Sequence, residues 1–357
     1  MQAVILAGGN ATRLHCATSH IPKPLMPFFD RPVVEHAVRL LAKHGIRDII
    51  ITTSYATADI MRYFGDGSRW NVNIRYSVES SAAGTAGAVK LVQQMIKGTF
   101  MVVSGDIITD FDLAAAIKAH ESSSAIATIL LHSVDDPTQY GMVASDTSGT
   151  VNKFVEKPRT REAVIHTIST GVYIIEPEAL SSIAYNTAQD FAIDLFPRLL
   201  RNQDPVFALE PEGYWCDVGD LLQYRNAHFD ALQGRIQLDL PAIHVGEGIW
   251  VGSGVDIHPT AQLSSPVFIG SGASIGRDAV LGEHTVIGAN ALVDEGAYVA
   301  RSVIGGGSFI GSNMRVTDSV ISSGYSVVEA DEPGPTPTKQ TKSTASKNAQ
   351  LAHKTLA

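Results

Sequence analysis

Residues 4–14 read Val-Ile-Leu-Ala-Gly-Gly-Asn-Ala-Thr-Arg-Leu, and residues 21–25 read Ile-Pro-Lys-Pro-Leu. The apolar run ending in small residues predicts a buried strand over Gln2–Ala7 that opens into a loop. Gly8 and Gly9 let backbone N–H groups approach phosphate oxygens, while Arg13 and Lys23 add fixed positive charge. The stretch lacks the Gly-Lys-Ser/Thr of a Walker loop and the three spaced glycines of a dinucleotide fingerprint. A Gly-Gly pair after a strand is by itself most often a plain turn. With two cations following, the pattern reads as a triphosphate cradle.

Outward from this loop, short apolar strands alternate with helical patterns up to about residue 235. Helices are expected at Pro32–Lys43, Thr85–Ile96 and Leu113–Ala119, and strands at Asp48–Thr53, Phe100–Ser104 and Ile126–His132. Such alternation implies βαβ units, a mostly parallel Rossmann-like sheet, and ligands at the carboxyl ends of its strands. Gly8 and Asp106 both fall at such ends.

The second half changes period. Val251, Ile257, Leu263, Ile269, Ile275, Leu281, Ile287, Val293 and Val299 recur every six residues, and Ile304, Ile310 and Val316 continue the series after a one-residue slip. A hexapeptide phase held this long reads as a parallel β-helix whose aliphatic residues stack inside, with the glycine beside many of them easing a tight corner. The expected division is therefore a domain over 1–235, a linker over 236–249, a β-helix over 250–330 and a disordered tail over 331–357, which is rich in Pro, Thr, Ser and Lys.

Composition bounds the function. The chain has 357 residues, 45% of them hydrophobic, and a net charge of −9. An acidic chain argues against general nucleic-acid binding or recruitment to a membrane surface, since both need a basic face. No stretch approaches the roughly 20 apolar residues of a membrane span, and no basic leader precedes the first apolar run, so a cytoplasmic location is expected. Cys16 and Cys216 make no disulfide framework, and the twelve histidines show no metal-ligand spacing.

Several separated motifs over residues 1–235 resemble those of the sugar-1-phosphate nucleotidyltransferases, which join a nucleoside triphosphate to a sugar 1-phosphate and release pyrophosphate. The pairing with a hexapeptide-repeat tail, together with Ile107–Leu113 and Tyr214–Tyr224, looks most like mannose-1-phosphate guanylyltransferases, and implies a left-handed coil. By this resemblance Ser104-Gly105-Asp106 is the first metal segment and Tyr214-Trp215-Cys216-Asp217-Val218-Gly219 the second, so Asp106 and Asp217 would hold Mg2+. Leu6, Ala7, Gly8, Gly9, Thr12, Glu79, Gly84 and Thr85 would bind the nucleotide, with Glu79 facing the base edge. Glu156 and Lys157, in Phe154-Val155-Glu156-Lys157-Pro158, would take sugar hydroxyls and the acceptor phosphate, and Tyr140-Gly141 and Thr170-Gly171 would line the sugar. Arg13, Lys23 and Asp106 are the implied catalytic set. The family usually has glycine at Ala11, proline at Cys16 and asparagine at Ser169.

These residue types suit the reaction. Two polyanions must meet, and the acceptor phosphate is mostly dianionic at neutral pH because its second pKa lies near ~6. Catalysis then reduces to charge neutralisation and alignment, without a covalent nucleophile. GTP with mannose 1-phosphate is the expected pair. Glucose-1-phosphate thymidylyl or uridylyl transfer and a non-catalytic nucleotide-sugar sensor stay open as alternatives. Asp106 and Asp217 are equally at home in turns, Lys157 in a solvated loop, and Glu79 at an exposed strand end. The β-helix is read as a packing or assembly surface, which favours a homo-oligomer.

Overall fold

The computed structural model describes residues 1–9, 22–54, 57–79, 81–159, 165–322 and 325–328. Arg13, Thr12, Ala11, Cys16 and the 331–357 tail lie outside the described residues.

In chain order the strands before the repeat are β1 (Gln2–Leu6), β2 (Pro27–Phe28), β3 (Arg31–Pro32), β4 (Asp48–Thr53), β5 (Asn73–Val78), β6 (Phe100–Ser104) and β7 (Ile107–Thr109). They continue as β8 (Ala127–Ser133), β9 (Gly141–Ser145), β10 (Val151–Glu156), β11 (Thr167–Ile175), β12 (Val206–Leu209) and β13 (Trp215–Asp217). Two compact units emerge, one comprising Met1–Asn10 with Val33–Asp217, the other Ala11–Pro32 with Val218–Ala357. In this division the segment before the first long helix groups with the C-terminal half. The strand Ile243–Gly246 also occupies part of the span expected as a linker.

The first unit is built on one sheet of order β10-β9-β11-β6-β1-β4-β5, with β8 and β12 joined beside β11. Strands β6, β1, β4 and β5 run parallel, as crossover helices demand, and β11 returns antiparallel against β6. Buried on both faces, the central strands read as unbroken aliphatic runs: Ala3, Val4 and Ile5, and Ile49, Ile50 and Ile51, are all fully buried. The helix Val33–Lys43 begins one residue after Pro32, while the helix expected over Thr85–Ile96 spans Gly84–Leu91 and then tightens into a 3-10 turn at Gln93–Met95. No helix among the described residues is long and apolar enough to cross a membrane.

The second unit contains the parallel β-helix. Ile257 pairs with Ile275, Ile275 with Val293 and Val293 with Ile310, so each coil lays its aliphatic residue on that of the coil before. Ile275, Leu281, Ile287, Val293 and Val299 are essentially without solvent exposure. The slip before Ile304 recurs before Ile321, at corners where Arg301 and Asp318 stack and form a two-point ion pair. Glycines after the aliphatic residue serve coil-to-coil approach: a Cβ on Gly288 would meet the Gly306 nitrogen at 2.5 Å. The left-handed corner falls two residues later, at Gly272 and Asn290.

Candidate active site

The carboxyl ends of four parallel strands carry the site. After β1, Ala7 donates its N–H to the Thr52 carbonyl (2.9 Å), and after β5, Glu79 donates its N–H to the Thr53 carbonyl (2.9 Å). These ladders set the glycine loop and Glu79 at one edge of the sheet. There a Cβ on Gly8 would lie 2.8 Å from Glu79 Oε1, whereas one on Gly9 would meet no described atom within 4 Å. Ser54, after β4, donates its hydroxyl to the Gly8 carbonyl (3.0 Å). Glu79 Oε2 accepts the Ala83 N–H (3.1 Å), and burial nevertheless pushes its carboxyl above the usual glutamate range.

After β6, Gly105 packs so closely on β1 that a Cβ there would lie 2.8 Å from the Leu6 carbonyl, to which the Gly105 N–H donates (2.9 Å). The glycine thereby sets the next residue, Asp106, beside the loop, and the Ser104 hydroxyl donates to its carboxylate. Strand β13 pairs antiparallel with β7, with Asp217 opposite Ile107. Facing Cα atoms in such a pair are about 5.5 Å apart at most, and one further residue adds about 3.8 Å, so the Asp106 and Asp217 backbones stand within about 9 Å. Among the described residues no group of three or more His, Cys, Asp or Glu gathers. Two carboxylates with the remaining positions left to water and phosphate oxygens are an oxygen donor set of the kind Mg2+ takes.

The other flank is formed by β9, β10 and β11. Glu156 faces Gly141 across the β10–β9 pair, and a Cβ on Gly141 would lie 2.9 Å from Glu156 Oε2. Burial, opposed by Lys157 and reinforced by the charge of Asp190, raises the Glu156 carboxyl. Lys157 adopts φ +45° ahead of Pro158, a left-handed conformation rare for a bulky residue. Its N–H donates to the Tyr140 carbonyl (2.9 Å), and its exposed ammonium lies 3.7 Å from Glu156 Oε1. Gly171, at φ +78°, places its Cα so that a Cβ would touch the Ser104 Cβ at 3.0 Å.

Three of the expected segments also make contacts within the protein. The Thr170 hydroxyl is buried and donates to the Leu130 carbonyl (2.7 Å), which ties the sheet together at this point. The Thr85 hydroxyl donates to Asp190 Oδ2 (2.8 Å) and accepts the Phe191 N–H (3.0 Å). The N–H groups of Ala86 and Gly87, which open the helix, both donate to the Gln189 carbonyl (3.0 Å each). Gly84 and Gly87 are small because the backbone of Thr187–Gln189 presses on them. Lys23, in the other unit, starts a 3-10 turn over Lys23–Leu25. Ser54, Ser104 and Asp190 were not anticipated; the Ser before Gly105 was the one sequence signal for any of them.

The nucleotidyl transferase family model matches residues 2–234, and the GMPPB C-terminal domain model matches residues 263–331. The chain belongs to the nucleotidyl transferase family. This nucleotidyltransferase is 34% identical over 343 residues to UTP–glucose-1-phosphate uridylyltransferase of Synechocystis sp., covering 92% of this chain and 88% of that one. It is 31% identical over 268 residues to mannose-1-phosphate guanylyltransferase catalytic subunit beta of Xenopus tropicalis, covering 74% and 73%. The solved structure of HddC from Yersinia pseudotuberculosis complexed with GMP-PN is similar with a TM-score of 0.55 at 27% identity, covering 63% of this chain and 97% of that one. The nucleotidyltransferase is a sugar-1-phosphate enzyme that forms an NDP-sugar, with a left-handed β-helix after its mixed, largely parallel sheet.

Proposed function

We propose that the enzyme transfers a guanylyl group from GTP to mannose 1-phosphate. The observation that carries the base assignment is Glu79 at the glycine loop, held through Oε2 by Ala83 while Oε1 turns toward Gly8. A carboxylate there can accept from both N1–H and the exocyclic amino group of guanine, whereas a uracil or thymine edge offers one N–H. The match to the GMPPB C-terminal domain and the guanylyltransferase relatives support the same pair. A UTP and glucose 1-phosphate reading is favoured by the Synechocystis relative, whose similarity runs through nearly the whole chain.

In this reading a phosphate oxygen of the sugar 1-phosphate forms a new bond to the α-phosphorus while the bond to pyrophosphate breaks. Lys157 holds the acceptor phosphate, and its left-handed backbone aims the side chain from a fixed point. Glu156 accepts from sugar hydroxyls. The backbone at Gly8 and Gly9 cradles the triphosphate, with Arg13 and Lys23 offsetting the charge that gathers on the leaving group. Asp106 and Asp217 would hold Mg2+, which supplies charge neutralisation between the two anions when bound. The coil is read as the surface of a homo-oligomer, supported by the exposed Ile243 and Val245 on the strand that pairs antiparallel with its first coil strand, and light scattering of the purified protein tests that.

Pyrophosphate release, measured with Mg2+, each of four nucleoside triphosphates and either mannose 1-phosphate or glucose 1-phosphate, tests the whole reading. GTP with mannose 1-phosphate should turn over fastest. A preference for UTP with glucose 1-phosphate would install the second reading, and silence with every pair would end both.

A further inference from the structure

Strands β2 and β3 form a two-residue hairpin whose turn is Phe29-Asp30. Both turn residues have positive φ, 49° and 62°. That is the geometry of a type I′ turn, which selects Asn-Gly or similar pairs because other residues are strained there. A phenylalanine in it persists only where the surroundings impose it.

Here the surroundings are the β-helix and the α-helix Leu221–Leu232 that precedes it. Phe29 is buried, with its ring 4.9 Å from that of Phe268 and 4.7 Å from that of His228. Phe28 stacks on the same His228, and the Tyr224 hydroxyl donates to the Pro27 carbonyl (2.5 Å). Asp30 reaches across two coils: Oδ1 accepts the Ala289 N–H (2.7 Å) and Oδ2 the Ser271 N–H (3.2 Å). It sits over Gly270, where any Cβ would strike its carboxylate. Burial opposes the charge of Asp30 and the two N–H groups sustain it.

The hairpin follows directly on the Lys23 turn, where Leu25 donates its N–H to the Pro22 carbonyl and Met26 to that of Lys23 (2.8 and 3.1 Å). We propose that Asp30 is a positioning residue: by clamping the hairpin to two coils of the β-helix, it fixes the segment that carries Lys23. The inference rests on the assignment of Lys23 under the proposed function. It gives the repeat a part in catalysis besides assembly, since the corner N–H groups at Ser271 and Ala289 become a remote support for one cation. A displacement of about 1 Å in such a support can cost up to roughly 100-fold in rate.

The test uses full-length protein carrying D30A, D30N, K23A and the D30A/K23A pair, with turnover and hydrogen exchange read on each. D30A should lower kcat about 10- to 100-fold, speed exchange at the Leu25 and Met26 amides, and leave the amides of Ile275 and Val293 as slow as in the native chain. D30N keeps one acceptor and should fall between, and it carries the same readouts if D30A folds poorly. Because Asp30 acts through Lys23, adding D30A to K23A should change kcat less than about twofold, whereas independent sites would multiply. Native exchange at Leu25 and Met26 in D30A, or multiplying effects in the pair, would overturn the inference. Native turnover by K23A would instead remove the role of Lys23 and the catalytic half of the inference with it, while the exchange result judges the clamp separately.

Discussion

Glu79 Oε1 stands 2.8 Å from the point a Cβ on Gly8 would occupy, so the loop glycine and the strand-end carboxylate share one small space. Gly8→Ala should push Glu79 aside and disturb its proposed contact with the base. Losing one well-aimed hydrogen bond to a charged group is worth about 1.5 kcal/mol or more, or roughly tenfold in affinity. The expected result is KM for GTP raised about tenfold with a smaller change in kcat.

Burial raises the Glu79 carboxyl, so on acidification it takes up its proton at a higher pH than a free glutamate, whose pKa is about 4.3. The protonated acid loses an acceptor, and the affinity for GTP should fall with pH from a point above that value. Glu79→Gln should bind GTP more weakly at neutral pH and show a flatter profile over the same range. A native-like slope in the variant, measured by equilibrium titration, would remove Glu79 from base recognition.

Asp106→Asn and Asp217→Asn should each lower kcat by about 100-fold or more, since each takes away a carboxylate from a site worth several kcal/mol of charge stabilisation. On the proposed sharing of one ion, the double variant should be little worse than the weaker single one. Titration of activity with Mg2+ should show the apparent affinity for the ion falling in both singles.

Lys157→Ala should raise KM for the sugar 1-phosphate about 10- to 100-fold, the worth of a charge-assisted contact to phosphate. KM for the triphosphate should stay near its native value. Equal effects on both substrates would argue against a dedicated acceptor role.

Gly84→Ala is a stability test. At φ +71° the new methyl group is strained and also strikes the Gln189 carbonyl. A cost of about 1–3 kcal/mol is expected, seen as a melting temperature lowered by several degrees.

What the sequence yields follows from how local each signal is. The hexapeptide phase is local and redundant, and every expected inward residue from Ile269 to Val299 is buried. The parallel strands were legible as aliphatic runs for the same reason. The β7–β13 pairing brings the Asp106 and Asp217 backbones near one another, a pairing between distant segments that no spacing encodes, and only the resemblance joined them. The glycines of the Gly84–Gly87 run also answer to the Thr187–Gln189 backbone, a neighbour invisible in the chain order. The Thr170 hydroxyl bond to Leu130 is equally hidden, because the direction of a side chain at an irregular point of β11 depends on register. Asp30 left a faint trace, an aromatic pair followed by Asp between two short strands, whose meaning appears only with the coil beneath it.

The grouping of Phe28, Phe29 and Asp30 with Phe268, Tyr224 and His228 bears on any attempt to exchange modules between related enzymes. A graft that cuts once near residue 235 would marry a foreign coil to a native hairpin, leaving Phe29 and Asp30 facing a surface not matched to them. A working hybrid must carry the short N-terminal insert along with the repeat, so the unit of inheritance here is two pieces of chain and not one.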